Sequence, residues 1–196
     1  MNLEITYEEL KVLDFDIECR PLSWYGGDLV TKEVTAIAAR FIDQQKTHVW
    51  LLGVHAPEEM LEGFRALYNK ADMVTGHWIR GFDLPTMNGM CFDLKAPFLA
   101  NKLTQDTKND LIQFQGLSKS QENLAAMLIG YEKEQMDQAR WRRANRLTKV
   151  GIADTKRRVV GDVAQHMRLR AELLTYNMLK PPKLWTGSGK QGEYTP

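Results

Sequence analysis

The sequence predicts a single α/β domain built on a mixed sheet, and three observations lead there. Short apolar runs of strand character open the chain, and segments with apolar residues at helical spacing follow them. The links between the first three runs are short enough for an antiparallel meander. At 196 residues the chain is also long enough to bury a core of its own.

Taken in order, Lys11-Val-Leu-Asp-Phe-Asp-Ile-Glu18 reads as a buried strand, its apolar positions interrupted by acids. Pro21, Gly26 and Gly27 mark a loop, and Glu33 to Ile42 and Thr47 to Gly53 read as the second and third strands. A helix opens at Pro57, where proline and two glutamates occupy its first turn, and Met60, Leu61, Phe64, Leu67 and Tyr68 form its apolar face. Asp72 to Gly76 is a fourth strand, Phe82 to Cys91 a helix with Pro85 in its opening turn, and Leu103 to Thr107 a fifth strand. Ser120 begins a helix that Gly130 closes. Charged residues from Glu132 to Arg146 suggest another helix, and Val159 to Leu179 a last one, ended by Pro181 and Pro182. The domain is expected over residues 1–185, with residues 186–196 a glycine-rich flexible tail.

With 43% hydrophobic and 26% charged residues, the composition is that of a soluble globular protein. Two cysteines, Cys19 and Cys91, imply no disulfide framework, so a reducing, cytoplasmic setting is expected. Met1 to Leu10 lacks the apolar core of a signal peptide, and no apolar run is long enough to span a membrane. The net charge of +1 identifies no partner, but its distribution is uneven. Carboxylates dominate the first stretch, and bases from Arg140 to Arg170 cluster late. A carboxylate pocket with a basic flank suits an enzyme that handles a polyanion through bound cations; an ordinary solvated helix face is the plainer explanation of the bases.

Asp16 and Glu18 stand two apart on a predicted strand, so both side chains leave one face. Two carboxylates held this close repel unless a cation lies between them, and hard oxygen ligands suit Mg²⁺ or Mn²⁺. Asp14 shares that face but lies farther from the strand end and is the poorer candidate ligand. Val74-Thr-Gly-His-Trp-Ile-Arg-Gly-Phe-Asp-Leu-Pro85 leads from a strand through a glycine-bounded turn to Asp83 in the first turn of a helix, where an acid is also a natural cap. Asp162 is expected early in the last helix, with His166 one turn along the same face.

Together these segments resemble the DEDD (DnaQ-like) 3′–5′ exonuclease superfamily: a strand Asp-x-Glu, then Gly-His-x-x-x-Gly-Phe-Asp, then a late helix with Asp-Val. The resemblance spans roughly Leu13 to Leu174, and its middle motif is the most specific part. It implies an RNase H-like fold with a five-stranded mixed sheet, an antiparallel meander plus parallel strands, flanked by helices. It also implies two divalent metal ions, Mg²⁺ or Mn²⁺, held by Asp16, Glu18, Asp83 and Asp162, and release of nucleoside monophosphates by two-metal hydrolysis. A compact member of this kind resembles phage-borne or bacterial ones; the host cytoplasm would then be its location.

The pattern departs from the family at three places. Members place a tyrosine or histidine four or five residues before the last aspartate, and here those positions are Arg158 and Arg157. His166 would substitute from the next turn, the metal ions would activate water without a protein base, or His166 is an ordinary helix histidine. The residue after Gly-His is Trp78 where asparagine is common, either a core residue or a stacking platform. Cys19 follows Glu18 where threonine is common, leaving its backbone N–H for a terminal hydroxyl. Trp24 and Tyr25, in the loop beyond, would stack on a base or pack the loop onto the sheet; Arg80, Arg157 and Arg158 would bind phosphate or are exposed arginines.

The favoured function is a 3′–5′ exonuclease on single-stranded or frayed DNA, proofreading for a separate polymerase partner. The alternatives are an exoribonuclease on short RNA, an endonuclease on the same fold, and a nucleic-acid-binding module that has lost catalysis.

Overall fold

Strand β1, Val12–Cys19, is one of the two central strands of a six-stranded sheet. The computed structural model describes residues 10–21, 31–131 and 135–187. On one side of β1 the meander runs outward: β2, Val34–Phe41, pairs antiparallel with β1, and β3, His48–Leu51, antiparallel with β2. On the other side β4, Met73–Gly76, and β5, Lys102–Asp106, are parallel additions, and β6, Lys183–Trp185, closes the edge antiparallel to β5. Helices α1, Pro57–Lys70, and α2, Asp83–Asp93, supply the crossovers that parallel pairing requires. Three more helices follow: α3, Gln121–Ile129; α4, Gln138–Asn145; and α5, Lys149–Thr175. The arrangement is the RNase H-like α/β architecture expected, with one strand more.

Alternation along β1 divides its side chains between two layers. Leu13, Phe15 and Ile17 join Met60, Phe64 and Tyr68 of α1 and Leu84 and Met87 of α2 in the main core. Asp14, Asp16 and Glu18 therefore emerge on the opposite face, the one covered by α5, where Val159 and Val163 pack on Ala36 and Ala38 of β2. Much of the remaining contact between α5 and the sheet is polar. His166 Nδ1 lies 2.6 Å from Asp14 Oδ2, His166 Nε2 lies 2.9 Å from Thr107 Oγ1, and Arg170 Nε donates to Gln105 Oε1 at 2.8 Å.

The helix ends follow local chemistry. Glu59 accepts the Ala56 N–H at 3.0 Å, Ser120 caps α3 through the Asn123 N–H at 3.2 Å, and Gly130 ends α3 at φ 59°. Three expectations need correction. The sheet has six strands, because β6 is three residues long, too short to display alternation, and it directly follows the two prolines. Its Trp185 packs on the main core, and Gly187 accepts from Asn88 Nδ2 at 2.8 Å; residues 188–196 of the expected tail lie outside the described residues.

Helix α5 starts at Lys149 rather than Val159 and ends at Thr175 rather than Leu179, so Asp162 lies at mid-helix. Thr148 caps it through the Gly151 N–H at 3.0 Å, and Asn177, at φ 53°, turns the chain out of it. The early part looks unhelical because it carries Gly151, yet that glycine is what lets α4 approach: a Cβ there would lie 2.2 Å from the Arg143 carbonyl oxygen. Helix α4 in turn is shorter than the charge pattern suggested. It begins only after Asp137, which caps it through the Arg140 N–H at 2.7 Å.

If the Asp14–His166 pair holds α5 on the sheet, a His166→Leu variant strands a buried carboxylate and loses about 3 kcal/mol of stability in urea unfolding. An unchanged midpoint and slope would show that the apolar contacts of α5 suffice.

Candidate active site

Two periodicities bring the acids together. Along β1 a same-face step is about 6.6 Å, and one turn of α5, four residues, rises about 6 Å. With His166 fixed opposite Asp14, the next turn toward the helix N-terminus presents Asp162 to Asp16 and Glu18. One carboxylate oxygen from each of Asp16, Glu18 and Asp162 lies within 4.8 Å of the others. Opposite Asp16 and Glu18, β2 carries only Ala38 and Ala36, so small side chains leave space for the carboxylates under the helix.

A cation already stands at this cluster. Arg158, one turn beyond Asp162, places Nε 2.9 Å from Asp162 Oδ2 and 3.5 Å from Glu18 Oε1. The three side chains are 17%, 4% and 17% exposed, so the contact is largely shielded from water. Arg157 turns elsewhere. It pairs with Asp154, which also receives Arg140 at 3.1 Å and Arg143 at 3.9 Å, tying α4 to α5. Arg80 faces inward too, its guanidinium forked onto buried Asp110 at 2.5 and 2.9 Å.

Asp83 is the first residue of α2, and its Oδ1 accepts the Ile17 N–H at 3.3 Å, between the two acids of β1. It stands beside the three-carboxylate cluster rather than within it. Burial pushes its carboxyl up to about 8; the backbone N–H groups of Ile17 and Asp83 oppose the shift, and Asp106 and Glu18 add to it. The Cys19 thiol is pushed up by burial first and then by Asp83 and Glu18, which keeps it protonated at neutral pH.

The turn that delivers Asp83 is built on Asp106, a residue the sequence reading passed over. Its carboxylate accepts the N–H groups of Trp78, Arg80, Lys108 and Asn109 at 3.0 to 3.1 Å. That explains how Trp78 tolerates φ 69°, a conformation strained for a bulky residue. The Trp78 ring, 41% exposed, stacks on Phe82 at 5.9 Å and carries the Lys108 ammonium 4.0 Å above it. Gly81 makes room for the indole, since a Cβ there would lie 2.2 Å from its nitrogen. The available signal was Asp-Thr-Lys-Asn at a strand end, an Asx-type turn.

Beside Glu18 lies a cleft of roughly 330 Å³ whose walls include Cys19, Lys32, Phe82 and Trp141. Helix α4 brings Trp141 there, and Arg20 anchors that helix by donating from Nε to the Asn145 carbonyl at 2.9 Å. Neither Trp141 nor Lys32 was singled out in the sequence, because a tryptophan within a charged helix carries no motif. Trp24 and Tyr25 lie outside the described residues. His166 is 2% exposed with both ring nitrogens engaged, so it belongs to the buried layer between helix and sheet.

The donor set fits a hard divalent cation: carboxylate oxygens converge from two rigid elements, and a guanidinium already rests between two of them. Asp83 gives this fit a pH signature. Its folded pKa exceeds its ordinary 3.8, so the stability it permits is greatest at low pH and is lost as pH rises toward about 8. In metal-free protein, Asp83→Asn should raise stability at about pH 8 by roughly 1–3 kcal/mol and flatten its fall with pH in thermal melts. A variant less stable than its parent at that pH would contradict this.

No family model matches the chain, and no curated protein matches its sequence. Among solved structures it is similar to the family B DNA polymerase from the hyperthermophilic archaeon Pyrobaculum calidifontis, with a TM-score of 0.62 and 18% identity. The match covers 86% of this chain and 25% of that one, so the chain spans about a quarter of the polymerase's length. At that identity the likeness shows a shared fold, a mixed sheet flanked by helices.

Proposed function

We propose that this chain is a metal-dependent 3′–5′ exonuclease acting on single-stranded or frayed DNA. The observation that carries the reading is the convergence of Asp16, Glu18 and Asp162, with Asp83 held against the backbone between the first two. These four residues would hold divalent metal, Mg²⁺ or Mn²⁺, which when bound supplies Lewis acidity and an activated water. The likeness to part of a DNA polymerase supports a nucleic-acid substrate, and a separate polymerase would be the partner in proofreading.

The chain's own groups then have distinct tasks. The cleft next to Glu18 would receive the terminal nucleotide, with Phe82 and Trp141 offering aromatic faces and Lys32 a positive charge for a phosphate. The Lys32 ammonium stands 4.5 Å from the Phe82 ring, so base and phosphate contacts are available together. Trp78, exposed beside Phe82, extends this aromatic surface. In this reading Arg80 and Arg157 support the scaffold, and His166 positions Asp162 through its hold on Asp14.

A second reading draws on one observation: Arg158, a strong permanent cation, stands where a water-orienting side chain would act. A nucleic-acid-binding module without catalysis would tolerate that substitution. Degradation of a 5′-labelled single-stranded DNA with Mg²⁺ or Mn²⁺ separates the two. The exonuclease reading expects a ladder shortening from the 3′ end, abolished by EDTA and lowered at least about a hundredfold in Asp16→Ala. DNA that is bound but left intact, with matched RNA also uncut, would favour the binding module.

A further inference from the structure

We infer that Arg158 is a built-in cation of the carboxylate cluster, so that the site takes one divalent metal ion where the family resemblance implies two. This rests on the metal-dependent reading above. The observation is geometric: the Arg158 guanidinium bridges Glu18 and Asp162, the acids contributed by β1 and by α5.

A second ion between Glu18 and Asp162 would have to expel the guanidinium, because two cations at that spacing repel strongly in a site shielded from water. The backbone favours retention of the pair. Arg158 and Asp162 are four apart on one helix, the spacing at which two side chains meet on the same face. The neighbouring Arg157, Arg140 and Arg143 each pair with Asp154, while Arg158 contacts the cluster.

Titration of the full chain with Mn²⁺ alone tests this, with bound ions counted by the loss of the free-ion electron paramagnetic resonance signal and by calorimetry. The parent should bind one Mn²⁺ per chain. Arg158→Gln should bind two, the second at least about tenfold more tightly than any second ion of the parent. Arg158→Lys keeps the charge on a shorter reach and should stay near one, which keeps the test decisive should the glutamine variant misfold. Two ions of equal affinity in parent and Arg158→Gln would overturn the inference while leaving the metal-dependent reading standing. No Mn²⁺ bound by parent or variants would overturn both.

Discussion

The buried pair of Asp14 and His166 sets where α5 lies on the sheet, and the site depends on that placement. A helix packed through apolar contacts alone tolerates small slides, because dispersion and burial are not directional. A hydrogen-bonded pair does not, since a slide of one residue would leave a buried carboxylate without its partner. Thr107, bonded to His166 and in contact with His77, extends the restraint to β4 and β5. The helix therefore carries its register in polar groups, and one turn farther along that register becomes the meeting of Asp162 with Asp16 and Glu18.

The same geometry works against stability. Three acids on one face of β1 mean that burial penalises ionisation at Asp14 and, from α2, at Asp83. The fold offsets this differently at each position: a histidine for Asp14, backbone N–H groups for Asp83, an arginine for Glu18 and Asp162. Such local conflicts between burial and charge are where a protein departs from its most stable sequence, and they concentrate where chemistry is done. Asp106 belongs to the same economy of carboxylates, spending its acceptors on backbone N–H groups to shape the turn before Asp83.

Much of this was readable in the sequence, for identifiable reasons. Alternation along Val12–Cys19 was strong enough to assign both faces of the strand, and the glycine-bounded turn announced Asp83. The start of α5 was obscured because Gly151 weakens a helical pattern and is needed only for the close crossing with α4. β6 was invisible because three residues cannot show a period. The orientations of Arg80, Arg157 and Arg158 were beyond sequence reasoning: all three are arginines near acids, and only the fold determines that they meet Asp110, Asp154 and the Glu18–Asp162 pair respectively. Trp141 and Lys32 reach the cleft from distant segments, a proximity that no local pattern encodes.

Anomalous diffraction at the manganese edge from crystals of the full chain soaked in Mn²⁺ tests most directly whether α5 and β1 together make a cation site. The expected result is an anomalous peak within coordination distance of Asp16 and beside Glu18 and Asp162, with His166 still bonded to Asp14. A peak only at surface carboxylates away from β1, or none at all with the cluster intact, would contradict it.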